Sequence, residues 1–529
     1  MDPHTVDNTT DDPTPTRPTS ATAVGASGAG IADTSMRRLL DSAIASTESR
    51  TTGAGLGAFL AEPSAWTALV QWVGPTFSLR GPGLKQRLIR VLTQDIAAID
   101  RTLSRQVNSI IHHASFQKLE ASWRGLRYLV DQVEEGENIH IRVLNISWKE
   151  LVRDLDRAIE FDQSQLFRKV YGEEFGTPGG EPYGVLLGDF AVRHRLGPDY
   201  PTDDIRALES IAQVAAGAFA PFIVAADPAL LGLDHFPELE RTLDLSRTFE
   251  QLEYLKWKAF RDSEDARFVG LTLPHVLMRL PYADDGSRAD GFRFHEEVEA
   301  PDRTGYLWGN AVYAFGAVLV RSFYESGWPA SIRGVERDVL GGGLVTGLPA
   351  HSFSTDKTGI APKCSTDAII TDAQEKELGE LGFIPLCHCL DTEYAAFYGN
   401  QSVQKPKVYD EEPATVNARL SAMLQYMLCV SRFAHYIKVI ARDKIGSLRG
   451  AKECEDYLHN WLTRYTTSND DDDMATKASY PLREGRVQIR ESSKPGSYVC
   501  VVHLRPHYQL DQMVSAVRLT TELAPGQAG

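Results

Sequence analysis

A run from Pro221 to Ala226 is apolar throughout and too short for a helix. It follows a helix-patterned segment at 203–219, and both flanks suit a buried strand. A similar run, Tyr183 to Leu187, follows a helix-patterned stretch at 147–170. Residues 150 to 400 alternate in this way, and Leu307 to Tyr324 adds another apolar helix. Helices alternating with short buried strands lead to an α/β sheet with helices on its faces.

Longer helices are expected on either side. Leu84, Leu88, Val91, Leu92, Ile96, Ile99, Leu103, Val107 and Ile110 mark one face of a helix from Leu84 to Ile111. A second helix covers Phe116 to Glu134, through Leu119, Trp123, Leu126, Tyr128, Leu129 and Val133. Ile139 to Ile146 alternates apolar and polar residues and reads as a strand. Val416 to Ile445 reads as one long helix, followed by a shorter one from Lys452 to Tyr465. Arg486–Glu491 and Tyr498–Arg505 form a hairpin across the turn-rich Ser492–Ser497, and a terminal helix is expected after it.

Residues 1–34 are rich in Thr, Asp, Pro, Ser and Gly, too polar to offset the entropy of ordering. An apolar stripe at helical spacing follows, with Met36, Leu39, Leu40, Ala43 and Ile44. It stands alone between flexible stretches, as a helix held out for a partner would, or as one that docks on its own domain.

Charge and cysteine content narrow the function. The formal net charge of −16 argues against nucleic acid as the main partner, because phosphate recognition needs clustered cations. The six cysteines are irregularly spaced in a long chain and read as reduced thiols. The N-terminus has no basic or apolar signal region, and the best apolar run, Gln213 to Asp227, is shorter than the roughly 20 residues a bilayer needs. A cytoplasmic location with no direct membrane insertion is expected.

Catalytic and cofactor motifs find little support. Gly341-Gly342-Gly343 lacks the Gly-Lys-Ser/Thr ending of a phosphate loop. Cys387-His388-Cys389, with Cys364 upstream, invites a zinc reading, but neighbours on a strand point to opposite faces and would not converge. His112-His113 and His295-Glu296-Glu297 do not place two ligands on one helical face. The acidic loop Asp470–Asp473 lacks the spacing of a calcium loop. The chain is expected to need no cofactor and to be no enzyme; a metal-dependent enzyme built on Cys387, His388 and Cys389 is the alternative of a different class.

Several long motifs resemble the large subunit of the type VI secretion contractile sheath, the TssC/VipB family. They run in order from His112-His113-Ala-Ser-Phe116 through Trp123-Arg-Gly125 and Leu307-Trp308-Gly309-Asn310 to Ile332-Arg333-Gly334-Val335-Glu336. Gly382–Cys389, Gln401–Pro406, Ser431–Tyr436, Arg442–Gly446, Tyr480–Arg483 and Leu504–His507 follow. The resemblance covers about 35–523, with Arg337–Leu340 looking like a small insertion and the first 34 residues like an extension.

This resemblance implies a multi-domain α/β (α+β mixed) sheath protomer with mixed sheets, long helices and a C-terminal hairpin. The implied division is a disordered extension at 1–34, a recognition helix and inter-subunit linker at 35–83, and a helical region at 84–150 that pairs with the small sheath subunit. A central domain at 151–400, an inner sheath domain at 401–523 and a tail at 524–529 complete it. The implied partners are the small sheath subunit (TssB/VipA type), neighbouring copies of the chain, the Hcp inner tube, a ClpV-type disassembly ATPase and the baseplate. Met36, Leu39, Leu40 and Ile44 would form the ATPase-recognition helix. Val487, Ile489, Tyr498, Cys500, Val502 and Leu504 lie on the hairpin that would accept neighbouring strands, donated from somewhere between Ser46 and Arg80. Arg442, Lys444, Lys452 and Glu453 are candidates for contact with the inner tube. A phage-tail-like injection particle is the nearest alternative, and the recognition helix favours the recycled, type VI sheath.

Overall fold

A computed structural model describes residues 56–74, 77, 80–133, 138–197, 200–241, 244–284, 286, 291–298, 305–335, 339–350, 364–389, 392–444, 451–469, 472–491, 498–507 and 517–523. The chain divides into two units, one ending at Ile110 and including Ala283–Glu296, the other formed by Ile111–Tyr282 and the residues from Glu297 onward.

In the first unit Leu56–Ala61 (α1), Ala65–Val73 (α2) and the long Leu84–Ile111 (α3) are helical. Ser64 caps α2 by accepting the Thr67 N–H, and the Trp72 indole donates to Asp95 on α3 at 2.9 Å.

In the second unit the helices are Ala114–Asp131 (α4), Trp148–Arg157 (α5), Asp204–Ala218 (α6), Leu255–Asp262 (α7), Val312–Ser326 (α8), Asp372–Glu380 (α9), Glu412–Ser421 (α10), Leu424–Lys444 (α11), Ala451–Thr463 (α12) and Met474–Ser479 (α13). Local chemistry sets several starts. His113 Nδ1 accepts the Ser115 N–H to open α4, and Ser147 with Glu150 forms a reciprocal capping box at α5. Asp203 caps α6, and Asp473 of the acidic loop caps α13.

The strands are Leu186–Val192 (β1), Phe222–Ala226 (β2), Val269–Leu273 (β3), Val276–Leu277 (β4), Trp308–Gly309 (β5), Leu344–Val345 (β6), Ile384–His388 (β7), Ala395–Phe397 (β8), Leu482–Glu491 (β9), Tyr498–Pro506 (β10) and Val517–Leu523 (β11). Six of them make one sheet in the order β1-β2-β3-β7-β8-β6. The first four pair in parallel, and β8 pairs antiparallel to both β7 and β6. Pleating sends neighbouring residues to opposite faces. Thus Val224, Leu271 and Cys387 enter one core with α5, α6 and α7, while Ile223, Ile384 and Leu386 enter a second with α8.

Five sequence expectations change. β1 begins at Leu186 rather than Tyr183 and continues through Asp189, whose carboxylate is bonded by Ser122 of α4. The helix-patterned stretch at 147–170 ends its first helix at Arg157. Trp308 belongs to the short strand β5, with Leu307 just before it, and the helix begins only at Val312.

The single helix expected over Val416–Ile445 is two helices, because backbone from 400–402 competes for the helical hydrogen bonds. Ser402 N–H donates to the Ala422 carbonyl at 3.0 Å, and Leu424 N–H donates to the Asn400 carbonyl at 2.9 Å. Finally, Ile139–Ile146 is not a strand: it runs on without a bend or turn, but pairs with no other strand among the described residues. No helix among the described residues is long and apolar enough to cross a membrane.

α11 ties the central sheet to a third core. Leu424 and Leu428 lie in the core beneath β7 and β8. Val430, Phe433, Ala434 and Ile437 lie in a core shared with α12, β9 and β10. His435 is buried on the same helix, and its Nε2 faces the Ala218 carbonyl at 2.9 Å. Burial, helped by the charges of Arg432 and Lys438, pushes its pKa down to about 4.

His435 is therefore neutral in the folded chain and protonated in the unfolded chain below its ordinary value of about 6.5. Its contribution to stability is full above that value and is lost as pH falls towards 4. The loss is on the order of 3 kcal/mol, from about 1.4 kcal/mol for each pKa unit. Replacing His435 with Gln is expected to flatten the fall in unfolding midpoint between pH 6.5 and pH 4. An unchanged slope would mean that another group carries it.

Candidate assembly surfaces

The C-terminal sheet is built from the hairpin outward. Register places Val502 opposite Val487, Cys500 opposite Ile489 and Leu504 opposite Gly485. These apolar side chains face the third core, where they meet Leu458 and Leu462 of α12 and Val430 and Phe433 of α11. Burial pushes the Cys500 thiol up to about 12, so it is packed as a small apolar group. The opposite face pairs Arg486 with His503 and Glu484 with Arg505, whose charged groups lie 3.6 Å apart, and sets Gln488 opposite the buried Val501.

The terminal helix expected after the hairpin is instead β11. Val517, Leu519, Thr521 and Leu523 alternate with Arg518, Thr520 and Glu522, a period of two that suits a strand. It pairs with β10 from Tyr498 to Leu504. β10 is therefore the middle of a three-stranded sheet, with β9 on its other side. Tyr498, Cys500, Val502 and Leu504 cannot accept an incoming strand through β10, because both edges of that strand are taken.

The outer strands are β9 and β11. Along β9, Leu482 exchanges hydrogen bonds with Tyr465 and Thr467, and the Ile489 N–H donates to Glu455 of α12 at 2.9 Å. Val487 lies between these two anchored points.

The four residues expected near the inner tube fall into two pairs. Arg442 is committed within the chain, donating to the Thr177 carbonyl at 2.8 Å. Lys444 lies over the Tyr457 ring at 5.0 Å from its centre. Lys452 and Glu453 are exposed on the first turn of α12. Met36, Leu39, Leu40 and Ile44 lie outside the described residues.

α4 shows a surface that the sequence reading did not separate. Ala121, Gly125 and Leu129 are buried, and the Tyr313 ring of α8 packs so closely on Gly125 that an added Cβ would sit 2.3 Å from it. The other face exposes Phe116, Leu119, Trp123 and Val130, with Trp123 66% exposed. With the half-buried Leu126, these positions are spaced three and four apart in turn, the seam spacing of a helix that packs on another helix. That spacing was readable; which of two apolar stripes faced α8 was not. Glu120, on the same helix, holds the buried Arg279 at 2.7 Å and Arg124 at 2.8 Å.

Cys387 is buried, with its thiol pushed up to about 12, and Cys389 Sγ lies 3.7 Å from the Tyr398 hydroxyl. Among the described residues no group of three or more His, Cys, Asp or Glu side chains is placed to hold a metal ion.

Two family descriptions match the chain in tandem. Residues 93–404 match "EvpB/VC_A0108, tail sheath N-terminal domain" and residues 413–523 match "EvpB/VC_A0108, tail sheath gpW/gp25-like domain". The chain is 44% identical over 443 residues to the type VI secretion system sheath protein TssC1 of Pseudomonas aeruginosa, covering 82% of this chain and 86% of that protein. Among solved structures, a sheath tail protein from Desulfitobacterium hafniense overlays 60% of each chain with a TM-score of 0.27 and 10% identity. The contracted helical sheath of the anti-feeding prophage overlays 62% of this chain and 77% of that one, with a TM-score of 0.29 and 13% identity. At these scores the two overlays carry no argument.

Proposed function

Because the chain belongs to the type VI secretion tail-sheath family, as its large subunit, we propose that it builds the wall of a contractile tube together with a TssB/VipA-type small subunit. Membership implies assembly with copies of itself and with sheath partners. We infer as finer partners an Hcp-type inner tube inside, a ClpV-type ATPase acting on the spent sheath, and a baseplate at one end, all in the cytoplasm. The observation that carries this reading is the pair of sheath matches, which follow one another over most of the chain.

The C-terminal sheet supports it physically. A sheet with open outer strands offers rows of unpaired backbone groups, and strands from neighbouring subunits satisfy them by β-augmentation. We assign that role to the outer edge of β11 and to the stretch of β9 between Leu482 and Ile489, which are themselves bonded to Tyr465, Thr467 and Glu455, in place of β10. Lys452 and Glu453 remain as candidates for the lumen because both are exposed. Subunits joined by such strand exchange can rotate during contraction without separating.

The N-terminal stripe supplies a separate test. Leu40→Asp and Ile44→Asp each put a charge into the apolar face read as the ATPase anchor. Tubes are expected to form as in the wild type, while binding of the ATPase to spent sheath falls at least about tenfold, the effect of roughly 1.4 kcal/mol of lost contact. Disassembly of both variants at the wild-type rate would remove this helix from the recognition step.

A further inference from the structure

A cavity of about 100 Å³ lies where the loop after α8 meets α11, α13 and the Pro481 and Pro506 ends of the C-terminal hairpin. Its rim is fixed by backbone bonds. The His507 N–H donates to the Pro481 carbonyl at 3.0 Å, and the Ser331 N–H donates to Ser322 Oγ at 3.2 Å.

The walls are of two kinds. Cys429 and the rings of Pro481 and Pro506 form an apolar side. Burial pushes the Cys429 thiol up to about 12, so it stays uncharged there. Lys477, His507, Ser331 and Gln425 supply the polar side. Gln425 is only 3% exposed, and its Oε1 accepts from Asn400 at 3.3 Å. Its NH2 group donates to no other group among the described residues, which leaves a buried donor facing the cavity. Gln425 also sits on the first turn of the 21-residue α11, the end of a helix that carries partial positive charge. No Asp or Glu among the described residues lines the cavity, although the chain carries a net charge of −16. Asp473, one turn before Lys477, is engaged in capping α13, where it accepts the Thr476 N–H at 2.9 Å.

A lysine and a buried amide donor on one side and apolar groups on the other match a small amphiphilic anion. We propose that this cavity binds a short-chain carboxylate. Its charged end meets Lys477, His507 and the Gln425 NH2 group, and its hydrocarbon end lies against Cys429 and the two prolines. The volume is far below the roughly 300–1,000 Å³ of a drug-sized pocket, which limits the ligand to about the size of propionate. An inorganic anion would leave the apolar side unmatched, and a neutral amide of the same shape would make no ion pair with Lys477. Ser331 belongs to the first sheath domain and the other polar groups to the second, so the bound acid would bridge 93–404 and 413–523.

The test is equilibrium dialysis of the full chain, co-expressed with its small subunit, against radiolabelled propionate. Saturable binding of one propionate per chain is expected, with no competition from excess propionamide. Lys477→Gln is expected to weaken binding at least about tenfold, through loss of one charge-assisted bond. Lys405→Gln, at an exposed lysine outside the cavity, is expected to bind as the wild type does. Because the ligand binds the folded chain, the unfolding midpoint is expected to rise with propionate in the wild type and not in Lys477→Gln. Equal midpoints of the two without propionate are the check that folding is intact.

Absence of saturable binding to the wild type would overturn the proposal. So would competition by propionamide equal to that of unlabelled propionate, or wild-type affinity in Lys477→Gln.

Discussion

Phe433→Ala is expected to abolish assembly by unmaking the third core. The Phe433 side chain is fully buried on α11. It stacks on Trp328 with ring centres 4.1 Å apart, and meets the edges of Trp461 and Tyr465 at 5.9 and 6.1 Å. The same core holds Val487, Val502 and Leu504, so this aromatic cluster is the surface on which β9 and β10 lie. Removing a buried Phe costs about 3–5 kcal/mol, and each aromatic pair adds about 0.5–1.5 kcal/mol to what is lost. That is a large share of the 5–15 kcal/mol typical of a domain. Limited proteolysis is expected to cleave the variant within 413–523 while the central sheet survives, and Phe433→Leu, which keeps most of the volume, is expected to be much milder. A Phe433→Ala chain that resists protease as the wild type does would show that the hairpin is held by something other than this core.

A second large effect is expected from a single methyl group in the Gly341–Gly343 run. A Cβ on Gly343 would sit 2.1 Å from the carbonyl oxygen of Phe397 in β8. The two residues are bonded there, Phe397 N–H donating to the Gly343 carbonyl at 2.9 Å, and Gly343 N–H donating to Gly334 at 2.8 Å. Backbone on both sides leaves no flexible side chain to yield, so Gly343→Ala is expected to cost about 3 kcal/mol, the upper end for overpacking. Gly341→Ala is the internal control, because nothing lies within 4 Å of its Cβ position. The expected readout is a fall of about 6–12 °C in unfolding midpoint for Gly343→Ala, at roughly 2–4 °C per kcal/mol, and almost none for Gly341→Ala. Equal midpoints for the two variants would refute the close-approach account of this run.

The glycine run shows how a motif can be visible in sequence while its reason is not. The three adjacent glycines lack the ending of a phosphate loop, and what they are for shows only in the Phe397 carbonyl beside the third. Elements defined by their own residues were legible. Pro221–Ala226 could only be a buried strand, and Arg486–Glu491 with Tyr498–Arg505 could only be a hairpin. Elements set by distant partners were not. The break between α10 and α11 comes from Asn400 and Ser402, and nothing in Val416–Ile445 announces it. β1 was placed early because Asp189 interrupts its apolar run, and that carboxylate is satisfied by Ser122 on another helix. Val517–Leu523 is a different kind of miss, since its alternation was on view and was passed over for a helix. Of the candidate sites, Val487, Cys500, Val502 and Leu504 of the hairpin lie in the third core, and β10 has strands on both sides, so the proposed assembly edges move to β9 and β11.

The most direct test of the sheath reading is electron microscopy of this chain co-expressed with its small sheath partner. Hollow tubes of regular helical repeat, containing both chains, are the expected result. Discrete globular particles under the same conditions, with the two chains purifying apart, would contradict it.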